Sequence, residues 1–263
     1  MLFKRLFLCA LLVGLFAGLT YSAIQRWQVV PTIVAAEVFE SALAPEAAAD
    51  HHPPGTAAHV HNEAAWEPKE GAERLFWTVV ANVLGATGFA LLLIPALAWW
   101  DRQRGGNGAL LRSGLVWGAA GWLCVFVWPA LGLGPELPGQ AAAGLHLRQA
   151  WWLLAVVCAA GGLALLSLVP GKIRWLGLPL LALPFIVGAP DFGGPAFASY
   201  PAEAAAQMEL LRSRFIVATF IASAVQWLVL GALCGIVVER WLRPLLALPP
   251  AADALPAVMR PAA

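Results

Sequence analysis

Residues 75–100 read LFWTVVANVLGATGFALLLIPALAWW, twenty-six consecutive positions without a charged side chain. A helix rises about 1.5 Å per residue, so this stretch is long enough to cross the roughly 30 Å hydrocarbon core of a bilayer. Its apolar residues run on instead of alternating, which fits a helix in lipid and not a strand of a barrel. Four stretches of the same kind lie at 6–24, 113–135, 150–170 and 215–238. A sixth, 175–190, is shorter and is interrupted by Pro179 and Pro184.

Composition supports the same class. The chain of 263 residues is 60% apolar and only 12% charged, with a mean hydropathy of +0.75. A soluble domain carries about a quarter of its residues as charges, so this chain could not clothe a water-facing surface and lipid must be its main solvent. The expectation is an all-α fold: a polytopic membrane helix bundle of about six transmembrane helices, forming a single membrane domain. Net charge is +1, which gives no case for a nucleic-acid partner. Cys9, Cys124, Cys158 and Cys234 each stand alone in apolar sequence with no CxxC pair, and read as small packing residues.

Charge on alternate loops orients the bundle. With six spans, one side holds ten basic and three acidic residues, and the other six basic and twelve acidic ones. Basic residues stay inside, so both termini, including the tail 244–263, are expected in the cytoplasm of a bacterial inner membrane. Leaving out 175–190 shifts the basic split to nine against seven and nearly erases the asymmetry. Six spans is therefore the better model, though that segment could be re-entrant or strongly tilted. A cleaved signal peptide is the other reading of 6–24, given Lys4, Arg5 and the small pair Ser22-Ala23. Against it, the apolar run is long, and Gly14-x-x-x-Gly18 within it is a helix-packing spacing that recurs at Gly114/Gly118 and Gly231/Gly235. Trp27, Trp77, Trp99, Trp100, Trp151, Trp152, Trp175 and Trp241 fall near span ends, where indoles anchor at headgroups.

One long external loop, 25–74, follows the first span. Its apolar opening, Val29 to Ala36, carries Pro31 at what reads as the first turn of a helix, with Glu37 and Glu40 on one face. Beyond it, four of the five histidines fall within eleven residues: His51, His52, His59 and His61. Even scatter would place about 0.2 there. Imidazole is the commonest side-chain ligand for nickel, cobalt, zinc and copper and is largely neutral at physiological pH. The bland alternative is a hydrophilic linker. The metal-binding reading gives a capture site of His51, His52, His59, His61, Glu37 and Glu40 for a divalent transition metal whose identity the ligands alone leave open.

The residues around this loop resemble the CbtA family of predicted cobalt transporter subunits. The likeness begins at Met1-Leu2-Phe3-Lys4-Arg5-Leu6-Phe7 and continues through Gln28-Val29-Val30-Pro31, Ala36-Glu37-Val38-Phe39-Glu40 and the histidine tract. It then takes in Glu70-Gly71-Ala72-Glu73-Arg74, Ala81-Asn82-Val83-Leu84, Gly88-Phe89-Ala90 and Glu136-Leu137-Pro138-Gly139. Arg148-Gln149-Ala150-Trp151-Trp152 and Leu183-Pro184-Phe185-Ile186-Val187-Gly188-Ala189-Pro190 complete it. The resemblance implies cobalt uptake linked to cobalamin synthesis, with a small single-span companion subunit that also carries histidines. Phe185 stands where the family often has histidine, which argues against a histidine ligand on that short span.

Polar groups within spans are sparse. Asn82 and Gln226 are the clearest pathway candidates, and both could instead be interhelical glue. Glu136 and His146, on the outer side, could join a vestibule, and Pro179 and Pro184 could either free carbonyls for a path or kink a packed helix. No GxxxxGK[ST] loop, HExxH motif or Ser/His/Asp arrangement supports an enzyme. The favoured function is a subunit of a transition-metal uptake transporter, with cobalt favoured over nickel or zinc as cargo, no permanently bound cofactor, and homo-oligomerisation left open. The alternative is a non-transporting membrane scaffold or metal sensor whose external loop binds metal or a partner protein.

Overall fold

The computed structural model describes residues 2–49, 68–69, 71–105 and 110–246. All regular structure among the described residues is helical. Helix α1 (Leu2–Ile24) passes through a π-turn at Gln25–Val29 into α2 (Val30–Ala49). Then come α3 (Ala72–Gln103), α4 (Leu110–Trp122), a π-turn at Leu123–Val127 and the single turn α5 (Trp128–Ala130). Helix α6 (Leu145–Leu168), a 3-10 turn at Lys172–Leu176, and α7 (Gly177–Val187) follow. The last long helix, α8 (Ala202–Val237), runs through a π-turn at Val238–Leu242 into α9 (Arg243–Leu246).

Among the described residues five continuous helices are long and apolar enough to cross a bilayer: Leu2–Ala42, Ala72–Gln103, Leu110–Ala130, Leu145–Leu168 and Ala202–Leu246. Their outward side chains, among them Leu84, Leu92, Val116 and Val157, are exposed apolar groups suited to lipid. Two of the helices depart from the expected boundaries. The first was expected to end at 24 and the last to begin at 215, yet they run for 41 and 45 residues, about 60 Å and 67 Å. Nothing at those positions breaks a helix, and hydropathy marks where lipid stops, not where hydrogen bonding does.

Pro31 was expected at the first turn of a new helix; it sits inside a continuous one. The Val30 N–H reaches back to the Gln25 carbonyl, five residues away, which widens the turn just before the proline ring. Trp128 N–H bonds Leu123 O before Pro129, and Arg243 N–H bonds Val238 O before Pro244. A proline in a helix lacks the donor for, and collides with, the carbonyl four residues back. A wider turn moves that carbonyl aside, so these three helices continue past their prolines.

The stretch 175–190 is shorter than the others. The 3-10 turn and the eleven residues of α7 carry the chain back along α6. Residues 188–201 then meet 131–144 at the same end of the bundle, where Ala141 N–H donates to the Ala196 carbonyl at 2.8 Å. The described chain therefore passes six times between the two ends, five of them with the length of a bilayer crossing. The indole N–H groups of Trp128 and Trp151 donate to the carbonyls of Leu181 and Pro184, each at 3.1 Å, so these α7 carbonyls are spent on helix packing. Trp151, expected as a headgroup anchor, is accordingly buried; Trp27, Trp99, Trp152, Trp175 and Trp241 are exposed.

Close backbone approach ties the long helices together. A Cβ on Gly14 would stand 2.6 Å from the Thr87 Cα, and one on Gly18 2.6 Å from the Val83 Cα, so α1 and α3 touch main chain to main chain. On the other side Gly114 and Gly118 of α4 face Gly231 and Gly235 of α8, with a Cβ on Gly231 2.8 Å from the Gly118 Cα. All three GxxxG spacings thus lie in two real interfaces. Around them Ala10, Ile94, Leu97, Leu230 and Val238 form a buried core.

Replacing Gly231 by leucine should lower the melting temperature of the detergent-purified protein, corresponding to about 1–3 kcal/mol or more of overpacking. Gly85, whose Cβ position meets nothing within 4 Å, should accept leucine without loss in the same thermal measurement.

Candidate functional site

The end of the bundle that carries α2 is built as a water-side cap. Because α2 and the first turns of α8 project beyond the lipid-length core, they need their own apolar contacts. Val29, Ala36, Leu137, Phe197, Tyr200, Met208 and Phe215 supply them as a second buried cluster. Phe197 and Tyr200 meet edge to face at 5.9 Å. Gly139 (φ +76°) lets the 131–144 loop turn directly beneath the Tyr200 hydroxyl, where a Cβ has no room. Burial pushes the Tyr200 phenol above its ordinary value, and the Glu40 carboxylate adds to the push. The ring stays a neutral hydroxyl.

Acidic and guanidinium groups alternate across this cap. Glu37 on α2 receives a two-pronged bond from Arg74 in the first turn of α3, at 2.5 and 2.9 Å. Glu136 pairs with Arg148 at the start of α6, and Glu209 with Arg212 on α8 at 2.8 Å. The Nε atoms of Arg148 and Arg212 are buried with no hydrogen-bond partner among the described residues. A cavity of about 320 Å³ opens between the 131–144 and 188–201 loops, with Glu136, Gln140, Asp191 and Arg212 as its polar lining.

Of the residues expected to ligate metal, His51, His52, His59 and His61 lie outside the described residues. Glu37 is engaged by Arg74, so a cation could use it only by exchanging with the guanidinium. Glu40 is exposed. Among the expected pathway residues, Glu136 lines the cavity; His146 is exposed and is not part of its wall. Asn82 donates to Ser22 Oγ at 3.0 Å and to Gln25 Oε1 at 2.7 Å, tying α3 to the start of the first π-turn. Gln226 is buried in α8 beside Trp227, whose carbonyl and indole crowd Gly118 and Gly121. Among the described residues no group of three or more His, Cys, Asp and Glu could hold a metal ion.

Asp191, Gln140, Arg212 and Tyr200 were not singled out from the sequence. Asp191 directly follows the Gly188-Ala189-Pro190 run, and its position after a helix-ending glycine was the one available hint. Also unmarked was the pair at the opposite end, where Arg243 bonds both oxygens of buried Asp101 at 2.8 and 2.9 Å. Helix α3 is thus held by a carboxylate–guanidinium fork near each end.

A family model described as probable cobalt transporter subunit (CbtA) matches residues 3–239. Neither the comparison with curated proteins nor that with solved structures gives a match.

The two forks should differ in strength. Asp101 is 8% exposed and Arg243 24%, against 29% and 36% for Glu37 and Arg74. D101N strands a partly buried guanidinium and should destabilise by about 3 kcal/mol. E37Q should cost about 0.5 kcal/mol, fading in high salt. Denaturation of both variants in detergent at low and high salt measures the difference.

Proposed function

The chain belongs to the CbtA family of probable cobalt transporter subunits, a match that covers nearly all of it, and from that premise we propose that it takes up a divalent transition metal, cobalt foremost, through its histidine-bearing segment. The observation that carries this reading is the placement of four histidines within eleven residues immediately after α2. Helix α2 brings the chain to the cap end, where Glu37, Glu40, Glu136 and Asp191 lie. Imidazole nitrogens and carboxylate oxygens are the donors that suit a borderline cation such as Co(II). In this reading first capture is the work of His51, His52, His59 and His61, assisted by Glu40.

Hand-off follows electrostatically. A dication near Glu37 competes with Arg74 for the carboxylate, and one in the cavity meets Glu136 and Asp191 against Arg212. Exchange of a guanidinium for a metal is reversible, which suits transfer better than storage. Nickel and zinc meet the same donors. In this reading the cap end faces outward, both termini are cytoplasmic, and the membrane is the bacterial inner one, as the positive charge near the termini favours. The family is one of subunits, and the companion is a small single-span, histidine-bearing protein.

A second reading, a scaffold or sensor that binds metal without passing it, draws support from one observation. Asn82, the leading candidate for a polar lining, is tied up by Ser22 and Gln25, and the helices around it touch through glycine. If the chain conducts, the path then runs at its joint with the companion.

Changing His51, His52, His59 and His61 together to alanine should reduce radiolabelled cobalt accumulation at limiting cobalt by about tenfold, the equivalent of 1.4 kcal/mol of lost capture. Reconstituted vesicles holding the chain with and without its companion supply the assay. Unchanged uptake by the variant would remove the capture role, and metal binding with no uptake in either vesicle would favour the scaffold.

A further inference from the structure

At the end of the bundle opposite the cap, a groove follows the seam between α1 and α8. It consists of two adjoining cavities of about 420 and 200 Å³ that share Leu12, Arg240 and Trp241. The first opens at Arg5 and the turn that precedes Pro244; the second continues along Phe16 and Ile236. From Arg5 to Phe16 is eleven residues, about 16 Å of helix. That is close to half of a 30 Å hydrocarbon core, the depth of one leaflet.

The chemistry of the groove changes along its length. Its mouth carries two guanidinium groups, Arg5 and Arg240, both exposed and neither in an ion pair among the described residues. Arg243, close by, is already committed to Asp101. Glu239 is exposed and is not part of the groove wall. Below the mouth the walls are aliphatic and aromatic, and Trp241, half exposed, stands at the level where an indole borders headgroups. A pair of cations above a leaflet-deep apolar trench matches one kind of molecule, an anion with hydrocarbon chains.

We propose that this groove holds an anionic diacyl phospholipid, with its phosphate between Arg5 and Arg240 and an acyl chain along Leu12, Phe16 and Ile236. Basic pockets between transmembrane helices recognise anionic headgroups in this way. Bound there, the lipid bridges the first and last helices, which are also the two that build the cap. The proposal requires only that the chain spans a membrane and is independent of transport.

The full-length protein purified in neutral detergent tests it, by native mass spectrometry and thermal unfolding with phosphatidylglycerol, phosphatidylcholine or inorganic phosphate added. Phosphatidylglycerol should be retained and raise the melting temperature; phosphatidylcholine and phosphate should do neither. The double variant R5Q/R240Q should bind phosphatidylglycerol about thirtyfold more weakly. R112Q removes an exposed charge outside the groove and should bind like the parent. L12W fills the trench with both arginines intact, and should also lose the lipid. Equal retention of phosphatidylcholine, reproduction of the shift by phosphate, full binding by R5Q/R240Q, or equal loss in R112Q would each overturn the proposal.

Discussion

Everything in this bundle depends on helices meeting backbone to backbone at glycine. In lipid there is no hydrophobic gain in bringing two apolar helices together, since acyl chains solvate leucine as well as leucine does. What remains is close packing, and closeness is set by the side chain at the crossing. Gly14 and Gly18 let α1 lie on the Thr87 and Val83 backbone of α3, while Gly114 and Gly118 interlock with Gly231 and Gly235 between α4 and α8. Helix α1 also runs beside α8 along the lipid-facing groove, so the two glycine-built pairs join into one body. The hairpin of α6 and α7 also meets backbone to backbone, Gly162 against Gly177, and is fastened further by indole N–H bonds from Trp128 of α5 and Trp151 of α6 to α7 carbonyls.

The cap is a consequence of helices that do not stop at the membrane surface. Prolines 31, 129 and 244 would each break a standard helix, but a π-turn before each one makes room for the ring. Where Pro31 is absorbed, α1 continues into α2 and delivers Glu37 to Arg74 well outside the lipid-length core. Helix α8 starts equally far out, and Tyr200, Phe197 and Leu137 fill the space between them. Glu37 and Glu40 are therefore carried on a continuous helix, whereas Glu136 and Asp191 sit on the 131–144 and 188–201 loops.

The apolar stretches, their order and the all-helical class were legible because a run of twenty or more uncharged, mostly apolar residues is stable chiefly as a helix in lipid. The glycine spacings were visible too, although which helix each one faced was not. The site was less legible. Asp101 and Arg243 are 142 residues apart and Glu37 and Arg74 37 apart, so nothing local marks them as partners. Asn82 illustrates the reverse case: its polarity in a span was conspicuous, but only the folded chain shows that it donates to Ser22 and Gln25.

Taken alone, the sequence determined that this chain lives in a bilayer, crosses it with helices, clusters its imidazoles in one segment and resembles a family of metal transporters. Each of these rests on composition or on short-range spacing, quantities that do not depend on how the chain folds back. The tertiary structure decided where helices end, which carboxylates are already paired, and how the first and last helices come together around a basic-mouthed groove. Those features arise from contacts between residues far apart in the chain, and only the packed bundle brings them within reach of one another.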